Sequence, residues 1–224
     1  MTDACQDAMN RTQLVALAFV FLAMLASWIH APYPQQMYLQ HIPTVLALAS
    51  WPLLARRFPL TNPAFFCIAA FLLLHVVAAR YIYSYVPYDE WSSRLLGFSI
   101  TERFGFSRNH FDRVVHFSFG LLFVRPVWEV CVRYLRVPRR FAYYVAFEFV
   151  LAFSMVYELV EWGLSLSLAG QDADAYNGQQ GDMWDAQKDM SFAMLGASVS
   201  LFVLFLTRRS RERIPNLDAI HDGE

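Results

Sequence analysis

The chain has 224 residues, 57% of them hydrophobic and 17% charged, with 20 Phe and 11 Tyr. That composition is too apolar for an ordinary soluble domain of this size and indicates an integral membrane protein. A formal net charge of -1 and a single lysine, Lys188, give no basis for nucleic-acid binding.

Six segments are long and apolar enough to be read as spans, at roughly 13–29, 39–55, 64–85, 111–130, 141–168 and 189–207, against a requirement of about 20 residues each. The pattern predicts an all-α, polytopic membrane helical bundle forming a single domain over 1–224, without internal repeat. The first segment follows Arg11, Asp3 and Asp7 and lacks a clear small-residue cleavage site, which reads as an uncleaved helix. The second is interrupted by Pro43 and Pro52. In the long connection 86–110, Asp89 after Pro87 is placed to N-cap a short interfacial helix carrying Trp91, Leu95 and Leu96. Gly97, Gly105 and Asn109 end it, and a loop merely anchored by aromatics is the alternative. Cys5, Cys67 and Cys131 form no metal-type pair and read as unpaired structural thiols.

Arginine placement predicts orientation. Arg56 and Arg57 follow the second segment, Arg133, Arg136, Arg139 and Arg140 separate the fourth from the fifth, and Arg208, Arg209, Arg211 and Arg213 follow the sixth. These loops, and both termini, are expected to be cytoplasmic. The loop 169–188 is acidic, with Asp172, Asp174, Asp182 and Asp185.

The fifth segment carries Glu158 and Glu161 in an apolar run. A charged side chain near the bilayer centre costs about 2.5–3.5 kcal/mol, so such a pair should face protein or water. The predicted topology sets Glu158 and Glu161 at the outer level of the membrane, together with His75, Asp112, His116, Asp182, Asp185 and Asp189. Asp112 and His116 are spaced i, i+4, Glu158 and Glu161 i, i+3, and Asp182, Asp185 and Asp189 i, i+3, i+7 if that stretch is helical. Ser154, Glu158, Glu161 and Ser165 make one polar stripe that should face the bundle. Gly120 and Gly196 would permit close helix approach.

Acids at one depth repel one another unless a divalent cation, shared protons, or arginines such as Arg80, Arg108 and Arg113 neutralise them. The oxygen and imidazole set suits Mg²⁺, Mn²⁺, Zn²⁺ or Fe²⁺. Candidate catalytic residues are Asp112, His116, Glu158 and Glu161, and candidate metal ligands are Glu158, Glu161, Asp182, Asp185, Asp189 and His116. Three function classes fit: an enzyme acting on a lipid or lipid-linked phosphate, a proton- or cation-coupled carrier, and a structural or partner-binding membrane protein. Against the carrier, the chain shows no inverted repeat. His75 reads as a helix-packing histidine, and Glu148 as a partner of Arg139 or Arg140.

The stretch Arg108 to Leu122 (RNHFDRVVHFSFGLL), with Tyr157 to Trp162 (YELVEW) and Tyr176 to Met190 (YNGQQGDMWDAQKDM), resembles the YjdF-like family of bacterial inner-membrane proteins. It is distantly similar to VanZ-type proteins, which share an Asp-(Lys/Arg)-x-x-His-Phe start, a mid-helix glutamate and a late Asp-rich segment. The resemblance covers roughly residues 70–200 and implies an inner-membrane location and a shared polar core, without an assigned reaction. The VanZ-type likeness hints at envelope chemistry. In the third segment the family pattern has two histidines around Tyr-x-Tyr and Val-Pro. His75, Tyr81, Tyr83, Val86 and Pro87 match it, but Arg80 stands at the second histidine position, which weakens a two-histidine metal site there.

Overall fold

The structure, a computed structural model, describes residues 9–167 and 180–212. Cys5, Asp172, Asp174 and the start of the Tyr176 motif lie outside the described residues. The described chain is helical and without strands: α1 (Arg11–Ser27), α2 (Pro34–Gln40), α3 (Ile42–Arg57), α4 (Asn62–Arg80), α5 (Tyr88–Leu96), α6 (Ile100–Phe104), α7 (Phe111–Arg133), α8 (Arg139–Ser167) and α9 (Asp185–Glu212). Four stretches are long and apolar enough to cross a membrane: α4, α7, α8 and residues 185–207 of α9. The first two expected spans are shorter. α1 has 17 residues and α3 has 16, about 24–26 Å at 1.5 Å per residue against a hydrocarbon thickness of about 30 Å. The second is broken at His41, with Pro34 and Pro43 each in the first turn of the helix it opens, where a missing N–H costs nothing.

α7 is the centre of the bundle, packed against α4, α8 and α9, while α1 lies on α4. One apolar core joins Val20, Trp51, Ala55, Phe65 and Leu72 of α1, α3 and α4. A second joins Val124, Ala146, Val150, Ala193 and Ala197 of α7, α8 and α9. The α7–α9 contact is backbone against backbone: a Cβ on Gly120 would stand 2.0 Å from the Ala193 carbonyl oxygen, and one on Gly196 2.0 Å from the Phe117 carbonyl oxygen. The two glycines expected to allow close approach therefore do so reciprocally, in the small-residue mode of membrane helices. Large side chains such as Leu46, Leu53, Phe153, Val160 and Phe202 point outward, as a lipid-facing surface requires.

At the arginine-bearing end, Glu129 of α7 reaches α4. Its carboxylate accepts from the Thr61 N–H at 2.7 Å and the Thr61 hydroxyl at 2.5 Å, and Arg133 donates to it at 2.6 Å. Thr61 makes no side-chain cap of its own, so Glu129 caps α4 from a neighbouring helix. The connection after α4 forms the short helices α5 and α6, closed by the left-handed Gly97 and Gly105 (φ 80 and 65). The expected short helix exists, with Leu95 and Leu96 exposed, but Asp89 is not its N-cap. It sits inside the first turn and instead accepts from the Ser99 hydroxyl and the Thr101 N–H, tying α5 to α6.

Candidate functional site

Because α7, α8 and α9 converge, the polar residues of three separated motifs meet at the end of the bundle away from Arg133 and Arg139. Glu158 is 19 residues beyond Arg139, about 29 Å along α8. Asp112, Arg113 and His116 occupy the first turns of α7, and Asp185 and Asp189 the first turns of α9. Asp182 lies before α9, not on it. Its Oδ1 accepts from the Trp184 N–H and its carbonyl from the Asp185 N–H, so it caps the helix and the expected i, i+3, i+7 run begins at Asp185.

The aspartates are bound by two buried arginines. Arg108 donates to Asp112 Oδ2 at 2.7 Å and Asp185 Oδ1 at 2.5 Å. Arg113 donates to Asp185 Oδ1 at 2.6 Å and pairs with Asp189 Oδ2 at 2.6 Å and Asp182 Oδ2 at 3.2 Å. Lys188 holds Asp182 at 2.7 Å. Its hydrogen bond, the largest effect, together with the Trp184 N–H outweighs the opposing effect of burial and keeps the Asp182 carboxyl below the usual range. Arg80, the third arginine named as a possible neutraliser, is elsewhere: it donates to the carbonyls of Ser27, Ile29 and His30 at the end of α1.

A second group lies beside this one. One ligand atom each from His116, Glu158 and Asp189, all three buried, lies within 4.8 Å of the others. His116 Nε2 is 3.4 Å from Glu158 Oε1, and its Nδ1 is 3.4 Å from the Ser154 hydroxyl, so Ser154 rather than Asp112 is the group positioned to orient the ring. Glu158 Oε1 and Asp189 Oδ1 are buried without a hydrogen-bond partner among the described residues. Leaving buried carboxylate oxygens unsatisfied is costly. Asp112, Asp185 and Asp189 form another close group, but Arg108 and Arg113 already neutralise it. Three cations, Arg108, Arg113 and Lys188, face four aspartates there, so Glu158 meets no spare positive charge. A divalent cation fits this donor set: two carboxylate oxygens and an imidazole nitrogen, the ring backed by a hydroxyl.

Of the residues singled out, the structure brings together Asp112, His116, Glu158, Asp185 and Asp189. Glu161, one turn farther out and half-buried, takes a hydrogen bond from Tyr157 and stands outside the close groups. The stripe on α8 turns inward at Ser154 and Glu158 and opens at Ser165. His75 is a packing histidine, its ring nitrogens taken by the Gln40 carbonyl and the Tyr83 hydroxyl. Glu148 is exposed and makes no ion pair with Arg139 or Arg140 among the described residues, which lie more than two turns away. Tyr157, whose ring meets His116 edge-on at 5.7 Å, had only its place in a quoted motif to signal it. Asn109, read as a helix breaker, also donates to the Val86 carbonyl and exchanges hydrogen bonds with Gln180.

Next to Glu158, a cavity of about 330 Å³ opens between α8 and α9, lined by Met155, Glu158, Leu159 and Trp162 of α8 and by Asp185, Gln187 and Met190 of α9. Four helices of spanning length among the described residues, packed around a buried acid and histidine group, define a multi-pass membrane protein.

The chain belongs to the family described as "Predicted membrane protein (DUF2238)", which it matches over residues 12–210. It is 39% identical over 156 residues to the "Inner membrane protein YjdF" of Escherichia coli (strain K12), covering 69% of each chain. No solved structure matches it. The YjdF-like resemblance and the inner-membrane location are thus established.

Proposed function

We propose that the chain is an envelope enzyme that uses a divalent cation held by His116, Glu158 and Asp189 to act on a lipid-linked phosphate entering from the outer half of the membrane. The observation that carries this reading is the approach of His116, Glu158 and Asp189, one ligand atom of each within 4.8 Å of the others, where Glu158 Oε1 and Asp189 Oδ1 are buried without a hydrogen-bond partner among the described residues. A bound cation would screen the acids and polarise a phosphoryl oxygen. Arg113 fixes Asp189 through Oδ2, while Oδ1 has no hydrogen-bond partner among the described residues. Ser154 orients His116, whose Nε2 side faces Glu158. The cavity beside Glu158 offers Met155, Leu159, Trp162 and Met190 to the lipid part of the substrate and Glu158, Asp185 and Gln187 to its polar part. Arg108 and Arg113 are engaged by aspartates, so the phosphate is not recognised by a free guanidinium. Glu161, one turn along α8 from Glu158, is assigned the proton transfer: it takes a proton from the attacking water and returns it to the lipid oxygen as the P–O bond to the lipid breaks.

The test is phosphate release from a polyprenyl diphosphate and from phosphatidic acid in detergent with Mn²⁺, by the purified full chain and by Glu158→Gln. Release that is lost in the variant and with chelator is the expected result. Equal release by both proteins, or none from either substrate, refutes the reading. A carrier whose acids share a proton instead would show no release but a pH-driven signal in proteoliposomes.

A further inference from the structure

The opposite end of the bundle carries a second cavity, of about 430 Å³, unrelated to the acid and histidine site. It lies where the ends of α3 and α7 meet the starts of α1, α4 and α8. Its inner wall is Trp51, Ala55, Phe65 and Cys131, all buried, and its rim is Leu54, Leu135 and Val145, all exposed. The one polar side chain in its lining, Gln13, is satisfied by the Leu60 carbonyl and Asn62. Nothing inside calls for water, and the space is open to the surface that faces lipid.

Arginines flank the lining residues. Arg56 and Arg57 directly follow the lining residue Ala55, Arg57 lies over the ring of Phe58, another lining residue, and Arg136 follows Leu135. Arg139 and Arg140 open α8, whose Val145 lines the cavity. The nearby acid Glu129 is already bound by Thr61 and Arg133. Arg56, Arg57 and Arg136 are exposed and make no ion pair with any described residue.

We propose that this cavity is a binding site for an anionic phospholipid, with one acyl chain in the apolar pocket and the phosphate on Arg57 and Arg136. An apolar slot between spanning helices under unpaired arginines matches both halves of such a molecule, and basic pockets between membrane helices are general sites for anionic headgroups. The charge complementarity selects the occupant: a zwitterionic lipid would fill the slot but leave the arginines unanswered, and a second copy of this basic end would bring like charges together.

The test is native mass spectrometry of the detergent-purified full chain with added phosphatidylglycerol or phosphatidylcholine of matched chain length. The expected result is at least fivefold more adduct with phosphatidylglycerol. That preference should fall to near one in the Arg57→Gln, Arg136→Gln double variant and return in Arg57→Lys, Arg136→Lys. A filling variant, Ala55→Phe, should reduce binding of both lipids; if it fails to fold, Val145→Phe on the exposed rim serves. Equal binding of the two lipids, a preference that survives the double glutamine variant, or a lipid-free dimer as the retained species overturns the proposal.

Discussion

Replacing Gly196 with alanine tests whether the helix crossing holds the polar site together. The added methyl would stand 2.0 Å from the Phe117 carbonyl oxygen and 2.9 Å from the Leu121 nitrogen. Reaching even 3.0 Å, the shortest separation real methyl carbons show, requires α7 and α9 to part by about 1 Å at that level. Carried along rigid helices, the same shift takes the 2.6 Å Arg113–Asp189 contact to about 3.6 Å, no longer a hydrogen bond. The overpacking alone should cost about 1–3 kcal/mol, and the arginine pairing weakens in addition. Unfolding by SDS titration, followed by tryptophan fluorescence, should show the midpoint falling for Gly196→Ala and likewise for Gly120→Ala, whose methyl meets the Ala193 carbonyl oxygen at 2.0 Å. Gly163→Ala is the control: nothing lies within 4 Å of its Cβ, and alanine is the better helix former, so its midpoint should hold or rise. A wild-type midpoint for Gly196→Ala would refute the reasoning.

Glu129→Ala removes the cap that α7 supplies to α4 and leaves the Thr61 N–H without its partner, which should cost about 1.5–3 kcal/mol in the same titration, Glu129→Gln losing less. Arg113→Met strips a buried cation from Asp185 and Asp189 and should destabilise by about 3–5 kcal/mol. Arg113→Lys keeps the charge without the planar fork and should recover only part, as read by the monodisperse fraction in size exclusion. Asp182 is held below its ordinary value of 3.8 chiefly by Lys188, so its contribution is fully present above about pH 3.8 and fades as pH falls through the lower folded value. Thermal melts should therefore separate wild type from Lys188→Met at pH 6, and the gap should close below that range; a gap constant with pH would contradict it.

The spanning helices were legible because an apolar run is a strong signal on its own: α7 and α8 begin and end within three residues of the spans read from sequence. The break at His41 was visible as Pro43, and the crossing as Gly120 and Gly196, although only three dimensions show that each glycine meets the other helix's carbonyl. The site was legible as a set of residues at one depth, since helical rise fixes depth. Its internal division was not. Which acids take arginines and which keep oxygens without a hydrogen-bond partner depends on how α7, α8 and α9 rotate against one another: Asp112, spaced i, i+4 from His116, goes to Arg108, and Ser154 of another helix meets the ring. Asp89 misled for a similar reason: a residue with N-cap chemistry serves the next helix when the chain folds back on it.

Metal content of the full chain tests the cation site most directly. Protein purified without chelator and equilibrated with Mn²⁺ or Zn²⁺, then desalted and measured by inductively coupled plasma mass spectrometry, should retain about one equivalent. Glu158→Gln and Asp189→Asn, still monodisperse, should retain far less. A metal-free wild type under these conditions, or variants that keep the full equivalent, would contradict a cation held by His116, Glu158 and Asp189.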